Sequence, residues 1–355
     1  MSSPSSSPVR RWQSLLIGLV TIGLVALFLR DMDLREAWNA AVHAHRGWLA
    51  AAAATTMMTY VLRAWRWRWI LRPIGPARFR TAFRTTVMGF AASFLLPGRV
   101  GELLRPYALA RQERLNPAAA MATIVVERVF DLCTVLVLFA VATLAGGVNV
   151  PREIETAGML GAVAAVAGIA ILFVVAGHPD RMGRWAGRLS AWLPTRVASV
   201  VDHLVRTFVQ GLGVMRRPAD LFWSFVWSVP LWLSIALGIT LTSWAFGVSM
   251  SFTGSFLVVG YLTVGVAVPT PGAAGGFHYF YKLAATQLFN APDSVAGAAA
   301  IVLHLVTFVP VTILGVIFMW QDGLTLGQVK SVRTTAPDTS ESAAGREPAL
   351  EQQVR

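Results

Sequence analysis

Apolar runs about as long as a bilayer core is thick recur along this chain, and they constrain its fold more than any other feature. They lie near residues 13–29, 47–62, 118–145, 157–177, 221–246 and 294–320. A spanning helix needs ~20 such residues. Charged residues are only 14% of the chain, against roughly 25% in an average soluble domain, and the mean hydropathy is +0.59. The fold class these features predict is an all-α polytopic membrane protein. Its net charge of +12 gathers in short loops beside the apolar runs, so topology and anionic lipid explain it better than nucleic acid does. The single cysteine, Cys133, lies inside an apolar run and supports neither an internal disulfide nor a cysteine metal site.

Two apolar segments do not read as simple spans. From Thr85 to Gly98 only about 14 residues separate the flanking arginines, short of the ~20 required, and the segment ends at Pro97-Gly98 in "SFLLPGRVGELLRP". From Phe252 to Val268 a second run meets "PTPGAAGG" at 269–276, followed by the amphipathic "FHYFYKLAATQLF". Pro-Gly breaks free backbone groups that lipid cannot satisfy, so such backbone survives at membrane depth only beside protein or water. Each break is therefore read as the turn of a re-entrant helical hairpin, 83–113 and 253–290, added to about six full spans.

Loop charges test this topology. Arg63, Arg66, Arg68, Arg72, Arg78, Arg80 and Arg84 occur with no acid among them, and the 178–218 loop carries seven arginines against two aspartates. The 30–46 loop balances three arginines with three acids. If 83–113 returns to the side it entered from, every basic loop falls on one face, the cytoplasmic one by the positive-inside rule. The hairpins then enter from opposite faces, an inverted arrangement known from transporters with broken helices, and both termini are cytoplasmic. The expected organisation is a cytoplasmic tail over 1–12, a membrane domain over 13–325 and a disordered tail over 326–355. In residues 181–193, Arg181, Arg184 and Arg188 share one helical face while Trp185, Leu189 and Trp192 share another. That spacing fits either a helix lying in the cytoplasmic interface or one packed on the end of the bundle.

Charge inside the membrane is costly, about 2.5–3.5 kcal/mol per residue near the centre on insertion scales, and marks the candidate site. Arg99, Glu102 and Arg105 follow the first break at i, i+3 spacing, on one helical face. Glu127, Arg128 and Asp131 lie one or two turns inside the span that begins near Ala118. These charges either pair to lock the hairpin to its neighbour or line a cavity in which arginines contact a lipid phosphate. In "VPTPGAAGGFHYF" the glycines permit tight turns, His278 follows them, and His304 sits in the middle of the last span. A lone intramembrane histidine is ordinarily satisfied by a neighbour; the sharper expectation is that these two meet at the cavity. His43 and His45, near Asp31, Asp33 and Glu36, form no defensible ligand geometry. No metal spacing, phosphate loop or catalytic triad is recognisable, so neither an enzyme activity nor a cofactor is expected.

"LLPGRVGELLRPYALARQE", then "ATIVVERVFDL", then "VPTPGAAGG", in this order, resemble the lysylphosphatidylglycerol synthase transmembrane-region family of flippase-like integral membrane proteins, across about residues 10–325. The matching positions are Pro97, Gly98, Arg99, Gly101, Glu102 and Arg105; Glu127, Arg128 and Asp131; and the second break at Pro269, Pro271, Gly272 and Gly275. The resemblance implies a bacterial or archaeal inner (plasma) membrane protein concerned with moving or modifying lipids. This chain has Ala273 where the family pattern has a glycine, His278 where it has an acid, and His304 where an arginine is common. If the family's acid and base form a pair, their joint loss conserves charge. The chain ends about 30 residues after its last apolar run, so it is expected to lack the synthases' aminoacyltransferase domain and not to make lysylphosphatidylglycerol by itself. The function expected is binding and translocation of an anionic phospholipid or lipid-linked intermediate. The alternatives are a non-transporting membrane subunit for a separate glycosyltransferase or lipid-modifying synthase, and an integral-membrane enzyme acting on lipid phosphates.

Overall fold

The computed structural model describes residues 8–96, 100–145, 217–267 and 270–323, with scattered helical positions between 152 and 170. Pro97, Gly98, Arg99 and Pro269 lie outside the described residues, as do most of the 157–177 span, the 181–193 helix and the 326–355 tail. Among the described residues the chain is helical throughout. In order come α1 (Pro8–Leu29), α2 (Leu34–His43), α3 (Arg46–Leu71), α4 (Phe79–Leu95), α5 (Val100–Glu113), α6 (Pro117–Ala145), α7 (Pro218–Ala245), α8 (Gly254–Ala267), α9 (Gly276–Phe289) and α10 (Asp293–Gln321).

Local chemistry explains many of the boundaries. Pro117 and Pro218 occupy the first positions of α6 and α7, where a missing N–H costs nothing. Asn116 Oδ1 accepts from the amides of Ala118 and Ala119 at 2.9 and 3.2 Å, satisfying two of the free donors at the start of α6. Arg114 and Asn290 take left-handed backbone conformations just after α5 and α9, and the Leu115 amide closes onto Ala110 O at 2.8 Å, a Schellman-type helix end.

Two helices differ from expectation. The 30–46 loop contains α2, whose N-cap Asp33 accepts from the amides of Arg35 and Glu36 at 2.7 and 3.2 Å. His45 caps α3 by accepting from the Trp48 amide at 3.4 Å. The acid and the histidine that matched no ligand pattern are thus helix caps. The α3 span does not stop near residue 62 but runs to Leu71. Arg63 and Arg66, read as loop residues, lie inside that helix and are buried.

Ties between helix ends define two faces. On one, Arg72 pairs with Asp220 at 3.0 Å and Arg84 with Asp322 at 2.6 Å, which sets the ends of α3 and α10 beside the starts of α7 and α4. On the other, the His45 amide donates to Ala245 O at 2.9 Å and the Asp33 amide to Ser294 Oγ at 3.0 Å. Lys282 Nζ donates there to the carbonyls of Phe28 and Arg30 at 3.3 and 2.6 Å and pairs with Asp293 at 2.9 Å. Hence α4–α5 opens toward the first face and α8–α9 toward the second. The hairpins are inverted and approach each other at their turns, where the Phe94 ring lies against Gly272 and also stacks on Phe308 of α10.

Each hairpin closes through a pair of glycines. A Cβ on Gly101 would strike the Gly89 carbonyl, and one on Gly276 would strike the Gly265 carbonyl. The absence of side chains lets the two legs touch backbone to backbone, as small residues do between membrane helices.

Candidate functional site

α7 and α10 are long and apolar enough to cross a bilayer on composition alone. α3 and α6 have comparable lengths, 26 and 29 residues, but carry charges at depth. Rising about 1.5 Å per residue, Glu127 lies roughly 15 Å into α6, and Arg63 and Arg105 lie about 12 Å from the ends of α3 and α5. All three are near the middle of a hydrocarbon core about 30 Å thick. Charges so placed must face one another or a polar cavity.

They do both. Glu127, fully buried, receives Arg105 Nη1 at 2.9 Å and Arg128 Nη2 at 3.0 Å, with Arg66 at 3.4 Å and Arg63 at 3.5 Å. Asp131 receives Arg66 Nη1 at 2.7 Å and the Trp232 indole N–H at 3.0 Å, with Arg128 and Arg63 at 3.5 and 3.7 Å. Arg66 Nη1 also donates to Ser228 Oγ at 2.9 Å. Arg105 stacks over Trp67, its guanidinium carbon 3.9 Å from the ring centre, and the Trp67 indole donates to Thr123 at 2.9 Å. One network thus ties α3, α5, α6 and α7 together.

The network is not neutral. Four guanidiniums surround two carboxylates, and several of their donors, Arg105 Nε and Nη2 among them, have no hydrogen-bond partner within the protein. Desolvating a cation is repaid only when its charge and donors are met, so a positive excess at this depth favours an anion beside it.

A cavity of about 170 Å³ lies against this cluster, between the two hairpin turns. Its polar wall includes Ser93, Glu102, Arg105, Arg128 and Thr270, and Phe90, Phe94, Ile124, Val266 and Phe308 form an apolar wall. Arg105 is 3% exposed, whereas the Arg128 side chain is 44% exposed. Thr270 is buried, and its hydroxyl has no partner within the protein. Gly101 and Glu102, in the first turn of α5, also line the cavity, so the positive end of that helix faces it.

Of the residues singled out from sequence, Glu102, Arg105 and Arg128 line the cavity, while Glu127 and Asp131 lie behind it as counter-ions. Counting Glu102 as a third anion still leaves the four cations in excess, by one charge. His278 and His304 meet, their ring centroids 4.5 Å apart. They sit one layer back from the cavity rather than on its lining, with His304 Nε2 2.8 Å from the carbonyl oxygen of Gly272, which does line it. Arg63 and Arg66 were missed as members of the site. The available signal was the lack of any Gly or Pro between Trp48 and Arg72, with nothing to end the helix before both arginines had entered it.

The model of the family described as the lysylphosphatidylglycerol synthase TM region matches residues 13–315. The chain belongs to that family. Similar to this lysylphosphatidylglycerol synthase TM-region member is a UPF0104 membrane protein of Methanothermobacter thermautotrophicus, 26% identical over 281 residues that cover 76% of this chain and 82% of the relative. A second UPF0104 membrane protein, from Methanocaldococcus jannaschii, is 26% identical over 280 residues, covering 74% of this chain and 81% of the relative. The glycosyltransferase AglD of Haloferax volcanii is 30% identical over 119 residues, 33% of this chain and 19% of AglD. Family membership and the all-helical architecture make this TM-region protein a multi-pass membrane protein.

Proposed function

We propose that this protein binds the phosphate-bearing headgroup of an anionic phospholipid or lipid-linked intermediate in the cavity between its hairpins and carries it across the inner membrane. The observation behind this reading is the positive excess of the buried network where it meets the cavity, at Arg105 and Arg128. Arg128, half-exposed, makes first contact with phosphate. Arg105 Nε and Nη2 and the Thr270 hydroxyl complete its coordination, while Glu127 and Asp131 hold the guanidiniums in place. The acyl chains stay in lipid. The basic loops are cytoplasmic, and so are both termini.

Reconstitution tests this. Purified protein in liposomes moves labelled anionic lipid between leaflets, and Arg128→Gln slows that movement about tenfold or more, the scale of one lost charge-assisted hydrogen bond, while keeping the elution profile and unfolding temperature of wild type. No movement above protein-free liposomes, or equal rates for wild type and variant, overturns the transport reading. The AglD match favours a second reading, a non-transporting membrane subunit that presents a lipid to a glycosyltransferase. That subunit would carry an anionic lipid through purification, identifiable by mass, yet leave leaflet exchange unchanged.

A further inference from the structure

The helix between α1 and α3 presents three distinct sectors around its axis. Turning through ~100° per residue, α2 shows first Ala40, Ala37 and Ala41, then Leu34, Trp38 and Val42, then Arg35, Asn39, His43 and Glu36. Ala37 is buried, with Ala40 and Ala41 partly so, and α2 packs on α10. Small side chains allow that approach. In the next sector Leu34, Trp38 and Val42 are 65%, 73% and 52% exposed, large apolar groups that the described residues leave uncovered. The last sector is polar. Protein, apolar and polar sectors in that order are what a helix needs when it lies flat at the edge of a bilayer, with protein beside it, acyl chains on one side and water on the other.

The ends of α2 fix its direction. Just before it, the Asp33 amide is held by Ser294 at the start of α10, and just after it the His45 amide is held by Ala245 at the end of α7. Both anchor points lie on the same face of the molecule, where α7 and α10 leave the membrane. The roughly 15 Å length of α2, at 1.5 Å per residue, is therefore laid along that face rather than through it. At this level the exposed rings of Trp48 and Trp244 pack edge to face, their centroids 5.5 Å apart. Exposed indoles at such a level are what an interfacial aromatic belt requires.

We propose that α2 is an in-plane lipid anchor, seated in the headgroup–acyl boundary of the leaflet opposite the basic loops through Leu34, Trp38 and Val42. The occupant of that apolar stripe is bilayer lipid. The anchor also reaches the second hairpin. The carbonyls of Phe28 and Arg30, in the segment leading into α2, hold Lys282 of α9, which pairs with Asp293 of α10. Lipid contact at α2 thereby fixes the base from which the α8–α9 hairpin enters the membrane.

Site-directed spin labelling in liposomes tests the anchor independently of any transport activity. In a Cys133→Ser background, nitroxides are placed singly through Leu34→Cys, Trp38→Cys, Val42→Cys, Arg35→Cys, Asn39→Cys and His43→Cys. The first three are expected to collide several-fold more with oxygen than with an aqueous nickel chelate, and the last three to show the reverse. The labels at positions 34 and 42 should report the same depth. Free access of nickel to positions 34, 38 and 42 overturns the proposal, and so does shielding of these positions from both reagents, as a protein partner or a second copy would produce. A steady depth gradient along the helix overturns it too. A second measurement leaves Cys133 in place: wild type should lose more fluorescence than Trp38→Phe to lipids brominated near the headgroup. Equal losses contradict the anchor.

Discussion

The two hairpins are built alike and charged differently. In each, a glycine pair brings the inward and return legs into backbone contact, Gly89 with Gly101 and Gly265 with Gly276, and each opens toward its own face. The first return helix brings Arg105 to Glu127 and Arg128 beside the cavity. The second turn contributes Val266, Thr270, Gly272 and Ala273 to the lining and is held from behind, by the His304 contact to Gly272 O and by the packing of Phe277, Phe308 and the two imidazoles. The charge on the second hairpin stands at its base, where Lys282 meets Asp293. Close helix approach is a requirement of shape and recurs in both halves. The charge beside the cavity comes almost wholly from one half, while the other supplies a neutral roof.

The sharpest way to break this comparison is to unbalance the charged half. Glu127→Gln leaves four arginines around one remaining buried carboxylate, so it should destabilise the protein by about 3–5 kcal/mol, the cost of stripping a partner from a buried ion pair. Thermal unfolding in detergent reads the change. A near-neutral result would mean that water already reaches the cluster and that the network is not the lock on the first hairpin. The shared architecture is tested next, by Gly101→Ala and Gly276→Ala. Each adds a methyl where backbone now touches backbone and should cost about 1–3 kcal/mol from overpacking. Similar losses at both sites support equivalent closure; a large loss at only one would show that the hairpins are not structural counterparts. The smallest effect is expected at the neutral turn. His304→Leu removes the partner of the Gly272 carbonyl and should cost about 1–2 kcal/mol, with His304→Gln recovering part of it. If His304→Leu is as damaging as Glu127→Gln, the roof is no passive counterpart of the charged half.

The position opposite His304 bears on the same asymmetry. The resemblance put His278 where the family has an acid and His304 where an arginine is common, and the two rings are neighbours here. The two imidazoles meet as packed rings, tilted by 40°, while His304 Nε2 bonds the Gly272 carbonyl, so this turn is packed without a charged pair. That adjacency joins residues 26 apart in sequence on separate helices, which composition and spacing do not report.

Much of the fold was legible before any coordinates. Long apolar runs, a 14-residue approach to Pro97-Gly98, and Pro-Gly breaks that lipid cannot tolerate require helices and interrupted hairpins, because an unpaired backbone group is costly wherever it meets hydrocarbon. The loop charges predicted hairpins entering from opposite faces, and the end-to-end ties of α4 and α9 on opposite faces agree with that inversion. The charges at 102, 105, 127, 128 and 131 were visible as costly residues that need a reason.

Other features depended on distant packing. Arg63 and Arg66 sit in "RAWRWRW", which looks like the basic rim of a loop; only the docking of α3 on α6 and α7 turns them inward, because the carboxylates that neutralise them are more than sixty residues away. The α2 helix was equally hidden. Its short, small-residue sequence resembles a loop until α7 and α10 pin its ends to one face. The sequence by itself thus determined that this chain must live in a membrane and break its helices twice, since those demands come from local backbone chemistry. Which charges share a site, and how many more cations than anions it holds, was decided only by the tertiary structure, because Coulomb energy depends on distances through space that residue spacing along the chain does not contain.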